Sequence, residues 1–127
     1  LGAFVSGLDA GKIYQTWPLM GYSYFPNDIN INDIANFNNH SLVQFYHRNL
    51  AYFIMIYIMC LSFYIYKKNF ENLFKPLRIV IFFLLVQIIL GILTLISGLN
   101  IYLASAHQIC SVLLVLSAIN LHYLRTN

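Results

Sequence analysis

Charge is what this sequence has least of: seven Lys and Arg and four Asp and Glu make up only 9% of 127 residues. Soluble domains carry about a quarter charged residues, so there is too little charge here to cover a water-facing surface, and a soluble monomer is excluded. The basic residues are also too scattered to grip a phosphate backbone, which excludes a nucleic-acid partner. With only two cysteines, Cys60 and Cys110, no disulfide framework is on offer. What is abundant is apolar: 60% of the chain is hydrophobic, with a mean hydropathy of +0.69. The lipid bilayer is the solvent that fits such a chain, with room for about three full spans of roughly 20 residues plus one sizeable loop. The chain starts at Leu1, in mid-pattern and without an initiator Met, which points to a piece of a longer protein.

The positions of the few charges mark the spans. None occurs between Arg48 and Lys67, and none between Arg78 and Arg125. The second stretch is long enough for two crossings if Ser97-Gly98-Leu99-Asn100 makes the turn, since Gly and Asn tolerate left-handed geometry. The expectation is an all-α, polytopic membrane bundle with transmembrane helices at 42–66, 77–97 and 101–124. Residues 1–10 would be the end of a further helix, and 11–40 an outer loop rich in Asn and aromatic residues. Lys67, Lys68, Lys75, Arg78 and Arg125 fall on one side of this arrangement. Lys12 and Arg48 fall on the other, with Asp9, Asp28 and Asp33. The positive-inside rule then faces the 67–78 connection to the cytoplasm or matrix and the 11–40 loop outward. At this topology Cys60 and Cys110 differ in depth by roughly 15 Å, too far for a disulfide. Trp17, Tyr22, Tyr24 and Phe25 of the outer loop read as an interfacial aromatic belt.

Four histidines occur, and two share a depth. His47 lies about five residues inside the outer end of its span and His107 about six inside the outer end of the last. One complete crossing separates these helices, so they run parallel and both imidazoles arrive roughly 8 Å below the outer surface. Two ligands at one level can hold one metal, and the small residues Ala51, Ala104, Ser105, Ala106 and Ser111 leave room for a flat macrocycle. A zinc site would need further Cys, His or carboxylate ligands at that depth. On residues alone two readings stand: a bis-histidine haem in a helix bundle, or histidines that satisfy hydrogen bonds in the bundle interior. Arg48 is equally a partner for a haem propionate or an interfacial residue snorkelling to lipid phosphate. His122 reads as interfacial at the inner end, and His40 as a solvated loop residue.

The strings Gly2-Ala3-Phe4-Val5, Leu8 to Lys12, Trp17-Pro18-Leu19-Met20-Gly21, Leu42-Val43-Gln44-Phe45-Tyr46-His47-Arg48, Gln87 to Thr94, and Ala106-His107-Gln108 resemble, in order, the C-terminal half of the haem A synthase family. Asn39 matches a Glu-Asn pair that commonly precedes the histidine string, whereas Asn38 stands where the Glu usually is. The resemblance implies one four-helix half of an eight-helix oxidoreductase, each half offering a histidine pair to a haem. The implied reaction oxidises the C8 methyl of haem O to the formyl of haem A for cytochrome oxidase assembly. It also implies that His47 and His107 are axial ligands of a haem b, and that the haem O substrate lies in the other half. The expected location is a bacterial cell membrane or the mitochondrial inner membrane, with haem O synthase and cytochrome oxidase assembly factors as partners. Two rival classes remain at this level: a di-histidine membrane cytochrome for electron transfer, and a non-haem transporter or assembly module.

The orientation is open to test by cysteine labelling with an impermeant reagent. A cysteine at Asn30 is expected to react from the outer side and one at Asn72 not, and the reverse pattern would invert the topology.

Overall fold

The computed structural model describes residues 1–29 and 34–126; Asn30 and Asp33 of the outer segment lie outside the described residues. Four α-helices are present: α1 Gly2–Gly7, α2 His40–Lys67, α3 Glu71–Ile96 and α4 Ile101–Thr126, with a 3₁₀ turn at Ala10–Lys12. Among the described residues there is no strand, only an isolated bridge between Met20 and Ser23 in the outer loop. The helices α2, α3 and α4 are each long and apolar enough to cross a membrane.

Local chemistry sets the helix ends. The Asn39 side chain accepts the Leu42 N–H at 3.1 Å, an N-cap that starts α2 at His40. His40 is therefore the first helical residue and is exposed. α2 stops at a left-handed Asn69, φ 55°, whose side-chain amide donates to Glu71 at 3.0 Å. α3 begins at Glu71, six residues before the expected boundary at 77. The charges of Glu71, Lys75 and Arg78 thus belong to its first two turns and not to a loop. Glu71 complements the helix dipole there, while Pro76, the sixth residue, lies past the first turn and cannot donate the i−4 bond to the Asn72 carbonyl. At the far end, Gly98 takes φ 71° and the Leu99 N–H bonds back to the Thr94 carbonyl at 2.9 Å. Asn100 then accepts from the Tyr102 and Leu103 N–H groups, at 3.0 and 3.4 Å, and starts α4.

Buried positions on α3 recur at heptad spacing: Leu73, Leu77, Val80, Leu84 and Thr94, with the half-buried Gln87 and Gly91 on the same stripe. On α4 the matching stripe is His107, Cys110, Leu114, Ser117 and Leu121. These two helices run antiparallel and pack along a single seam. α2 joins at the inner end, where Ile65, Leu73, Leu77, Val80 and Leu121 form the core with Ile58, Leu61 and Leu114 packed around it. His47 lies in register with Ile54, Ile58, Leu61 and Ile65, which places it on the bundle-facing stripe of α2. Cys60 is exposed and Cys110 buried, and both are free thiols.

The outer loop is strapped to the first turns of α2. Asp28 is the hub, accepting from Tyr14 Oη at 2.8 Å and from Ser41 Oγ. Burial alone would raise the Asp28 carboxyl, but the hydrogen bonds from Ser41 and Tyr14 outweigh it and hold the group below its ordinary 3.8. Tyr14 is pushed above its ordinary 10.0, first by burial and then by the Asp28 carboxylate. The depressed carboxyl stabilises the docked loop above 3.8, a contribution lost as pH falls through its lowered value. The raised phenol stabilises it below 10.0, a contribution lost as pH rises through its raised value. Asp28→Ala is expected to increase amide hydrogen exchange across residues 14–28 at neutral pH. That difference from wild type should vanish well below pH 3.8; equal exchange at neutral pH would remove Asp28 from the hub.

Candidate haem-ligand site

Hydroxyls inside the spans are satisfied by their own helices. Ser62 donates to the Ile58 carbonyl at 2.6 Å, Thr94 to Leu90 at 2.7 Å and Ser117 to Leu114 at 2.8 Å. Where lipid supplies no hydrogen bonds, this is the local solution open to Ser and Thr. An imidazole cannot fold back in this way, and His107 instead reaches across the seam to α3.

His107 Nδ1 lies 3.1 Å from the Gln87 backbone oxygen. A carbonyl only accepts, so Nδ1 carries the proton and Nε2 keeps its lone pair. The ring can approach that carbonyl because position 91, one turn on, is glycine. A Cβ built there would stand 3.0 Å from His107 Cε1 and 3.4 Å from Nδ1. The Gln87 side-chain amide closes the arrangement with its Nε2 3.2 Å from His107 Nε2, donating to the lone pair.

His47 sits seven residues into α2 and His107 six into α4. On parallel helices their depths therefore agree to within about 2 Å. Both rings are half-buried. His47 Cε1 lies 3.8 Å from where a Gly2 Cβ would stand, so α1 backs this ring. The inner halves of the helices converge on a packed core, while α2 and α4 make no comparable backbone approach.

Arg48 turns away from His47, about 100° around the helix, and holds the loop. Nη1 donates to the carbonyls of Thr16 at 2.9 Å and Leu19 at 3.3 Å, and Nη2 to that of Tyr14 at 3.0 Å. Gln44, one turn above, donates to the same Tyr14 carbonyl at 2.8 Å. Three of the five guanidinium N–H groups are thereby used. Arg48 Nε is buried with no partner among the described residues, as are Oε1 of Gln44 and of Gln87. The outer aromatics also dock on α2: Trp17 Nε1 donates to Tyr52 Oη at 3.1 Å, Tyr24 Oη to Asn49, and Phe25 packs edge-on against Phe45 at 5.2 Å. His40 and His122 are exposed at opposite ends and take no part.

The donor set fits a haem iron on structural grounds. One imidazole is held as the Nδ1–H tautomer by a carbonyl, the arrangement that fixes metal-ligating histidines elsewhere. A second imidazole stands at its level, and the guanidinium of the adjacent Arg48 has one buried N–H without a partner among the described residues. Gln87 and Gly91 are the residues that composition and spacing did not single out. The available signal was position: Gln87 is the one amide side chain in α3 beyond its first turn, in heptad register with buried residues. Gly91→Ala should improve helix propensity by up to about 1 kcal/mol yet push the His107 ring off the Gln87 carbonyl. The expected result is unchanged or higher thermal stability with lower haem content in the membrane-purified protein; full haem content would show that the ring tolerates the methyl.

A family model described as cytochrome oxidase assembly protein (COX15-CtaA) matches residues 1–119. The chain is 44% identical to the heme A synthase of Pelagibacter ubique over 133 aligned residues, which cover all of this chain and 38% of that protein. It is 38% identical to the heme A synthase of Rickettsia massiliae, over 91% of this chain and 35% of the relative. The heme A synthase of Wolbachia pipientis wMel is 40% identical, over 98% of this chain and 35% of its own length. The chain thus spans little more than a third of the length of these relatives. No solved structure matches it. Three apolar crossings and a match over nearly all its length make this chain a multi-pass membrane member of the cytochrome oxidase assembly protein family, the family of the heme A synthases.

Proposed function

We propose that this chain is the cofactor-holding half of a haem A synthase, an oxidoreductase that converts the C8 methyl of haem O to the formyl of haem A. His47 and His107 are the axial ligands of a resident haem b, and the substrate haem O reacts in a part of the protein outside this chain. The membrane is the bacterial cell membrane or the mitochondrial inner membrane. Haem O synthase and cytochrome oxidase assembly factors are its expected partners. The observation that carries the reading is the His107 tautomer: its Nδ1–H is committed to the Gln87 carbonyl at 3.1 Å, so Nε2 keeps its lone pair, at about the depth of His47.

A haem held by His47 and His107 would supply electron transfer. The chain's own residues do the rest. The Gln87 carbonyl orients His107, and α1 backs His47 through Gly2. Arg48 ties the 14–19 segment to α2. Its spare Nε–H is suited to a propionate, the charged edge of a haem, in a partly desolvated setting.

The test uses the full-length protein, purified in its membrane form. His47→Ala and His107→Ala are each expected to lower haem content and abolish the six-coordinate low-spin spectrum, while His40→Ala and His122→Ala leave both unchanged. Arg48→Ala should weaken haem retention and shift the reduction potential with both axial bonds intact. Arg48→Lys, which keeps the charge and loses the planar fork, should fall between. Wild-type haem content and spectra in both axial variants would overturn the ligand assignment.

A further inference from the structure

His107 Nε2 is not left open. The Gln87 amide nitrogen stands 3.2 Å from it, on the side from which any metal must approach the lone pair. The proton on Nδ1 fixes which way the amide faces: turned over, its oxygen would meet that lone pair. In the orientation that suits the histidine, Gln87 Oε1 is buried and has no partner among the described residues. Gln87 therefore gains one hydrogen bond and leaves an acceptor unsatisfied, an arrangement a better ligand for Nε2 displaces readily.

We infer that Gln87 is a positioning residue that guards His107 before cofactor loading: its side-chain amide occupies the coordination position on Nε2 and swings aside when iron takes that position. The inference rests on the bis-histidine reading above and adds the order of events. The two parts of Gln87 have different duties. Its backbone carbonyl holds the Nδ1 proton before and after loading, so the ligating tautomer is preset. Its side chain keeps the buried lone pair satisfied only until the exchange. Removing the side chain leaves the carbonyl in place, so the two duties separate experimentally.

The experiment is haem uptake by haem-free full-length protein in lipid nanodiscs, followed by stopped-flow absorbance and by equilibrium titration with hemin. The variants are Gln87→Ala, Gln87→Leu and His107→Ala. Leu keeps the side-chain volume without a donor and guards against a packing defect in the Ala variant. Both Gln87 variants are expected to take up haem about two- to tenfold faster or more tightly than wild type, the scale of one net hydrogen bond. The low-spin bands and midpoint potential should match wild type. Unchanged or slower uptake, or a shifted potential, would overturn the guard role and make Gln87 a lasting partner of the loaded histidine. His107→Ala separates the two levels of the argument: if it binds hemin with wild-type spectra, the haem-ligand reading itself fails, whatever Gln87 does.

Discussion

A buried imidazole in a span that offers no water must find its hydrogen bonds inside the protein, and the bond from His107 Nδ1 to the Gln87 carbonyl is how this chain meets that demand. Much of the outer half follows from it. The carbonyl is free to accept a second hydrogen bond only if the residue one turn on has no side chain to cover it, which is the office of Gly91. The ring must lie on the α3–α4 seam, which fixes the register of two antiparallel helices. Helices in lipid gain little from apolar burial against one another, so packing and interhelical hydrogen bonds decide how they sit. One polar contact in a seam of Leu, Val and Ser therefore weighs heavily in that choice.

The bundle divides by depth. The inner half is a packed apolar core made by all three long helices. In the outer half the seam residues turn polar or small, and the loop is tied to α2 through Asp28, Gln44 and Arg48. The inner core holds the helix positions, and the outer half carries His47 and His107. Arg48 spends three donors on the loop and keeps one buried N–H without a partner among the described residues.

The crossings were legible in the sequence because charge-free runs carry the membrane signal at every position. The start of α3 was not, since Glu71, Lys75, Arg78 and Pro76 read as a connection. Their charges are admitted because the inner end of the helix lies at the interface, and Pro76 is carried inside the helix at the cost of its i−4 bond to Asn72. The similar depth of His47 and His107 was legible, since counting residues along parallel helices is enough to compare it. The loop's attachment was hidden for a different reason. Arg48 meets Thr16 and Gln44 meets Tyr14 across 32 and 30 residues of chain, and nothing in local pattern announces a pairing to a backbone carbonyl. Gln87 lay between these cases, visible as a lone amide but without a role until its partner was known.

The common depth of the two histidines is set from the outside. Asn39 caps α2 eight positions before His47, and Asn100 starts α4 seven positions before His107. Both asparagines lie at the outer boundary, so each histidine is measured from the same plane by a nearly equal number of residues. One residue added between Asn100 and His107 would lower the ring by only about 1.5 Å but turn it by about 100°. It would then leave the seam, the Gln87 carbonyl and the face shared with His47. Length changes in the 68–70 connection at the inner end alter neither count. The outer caps and the α3–α4 register are thus the parts of the chain that hold the geometry of the pair, and the inner connection serves only to return the chain to the membrane.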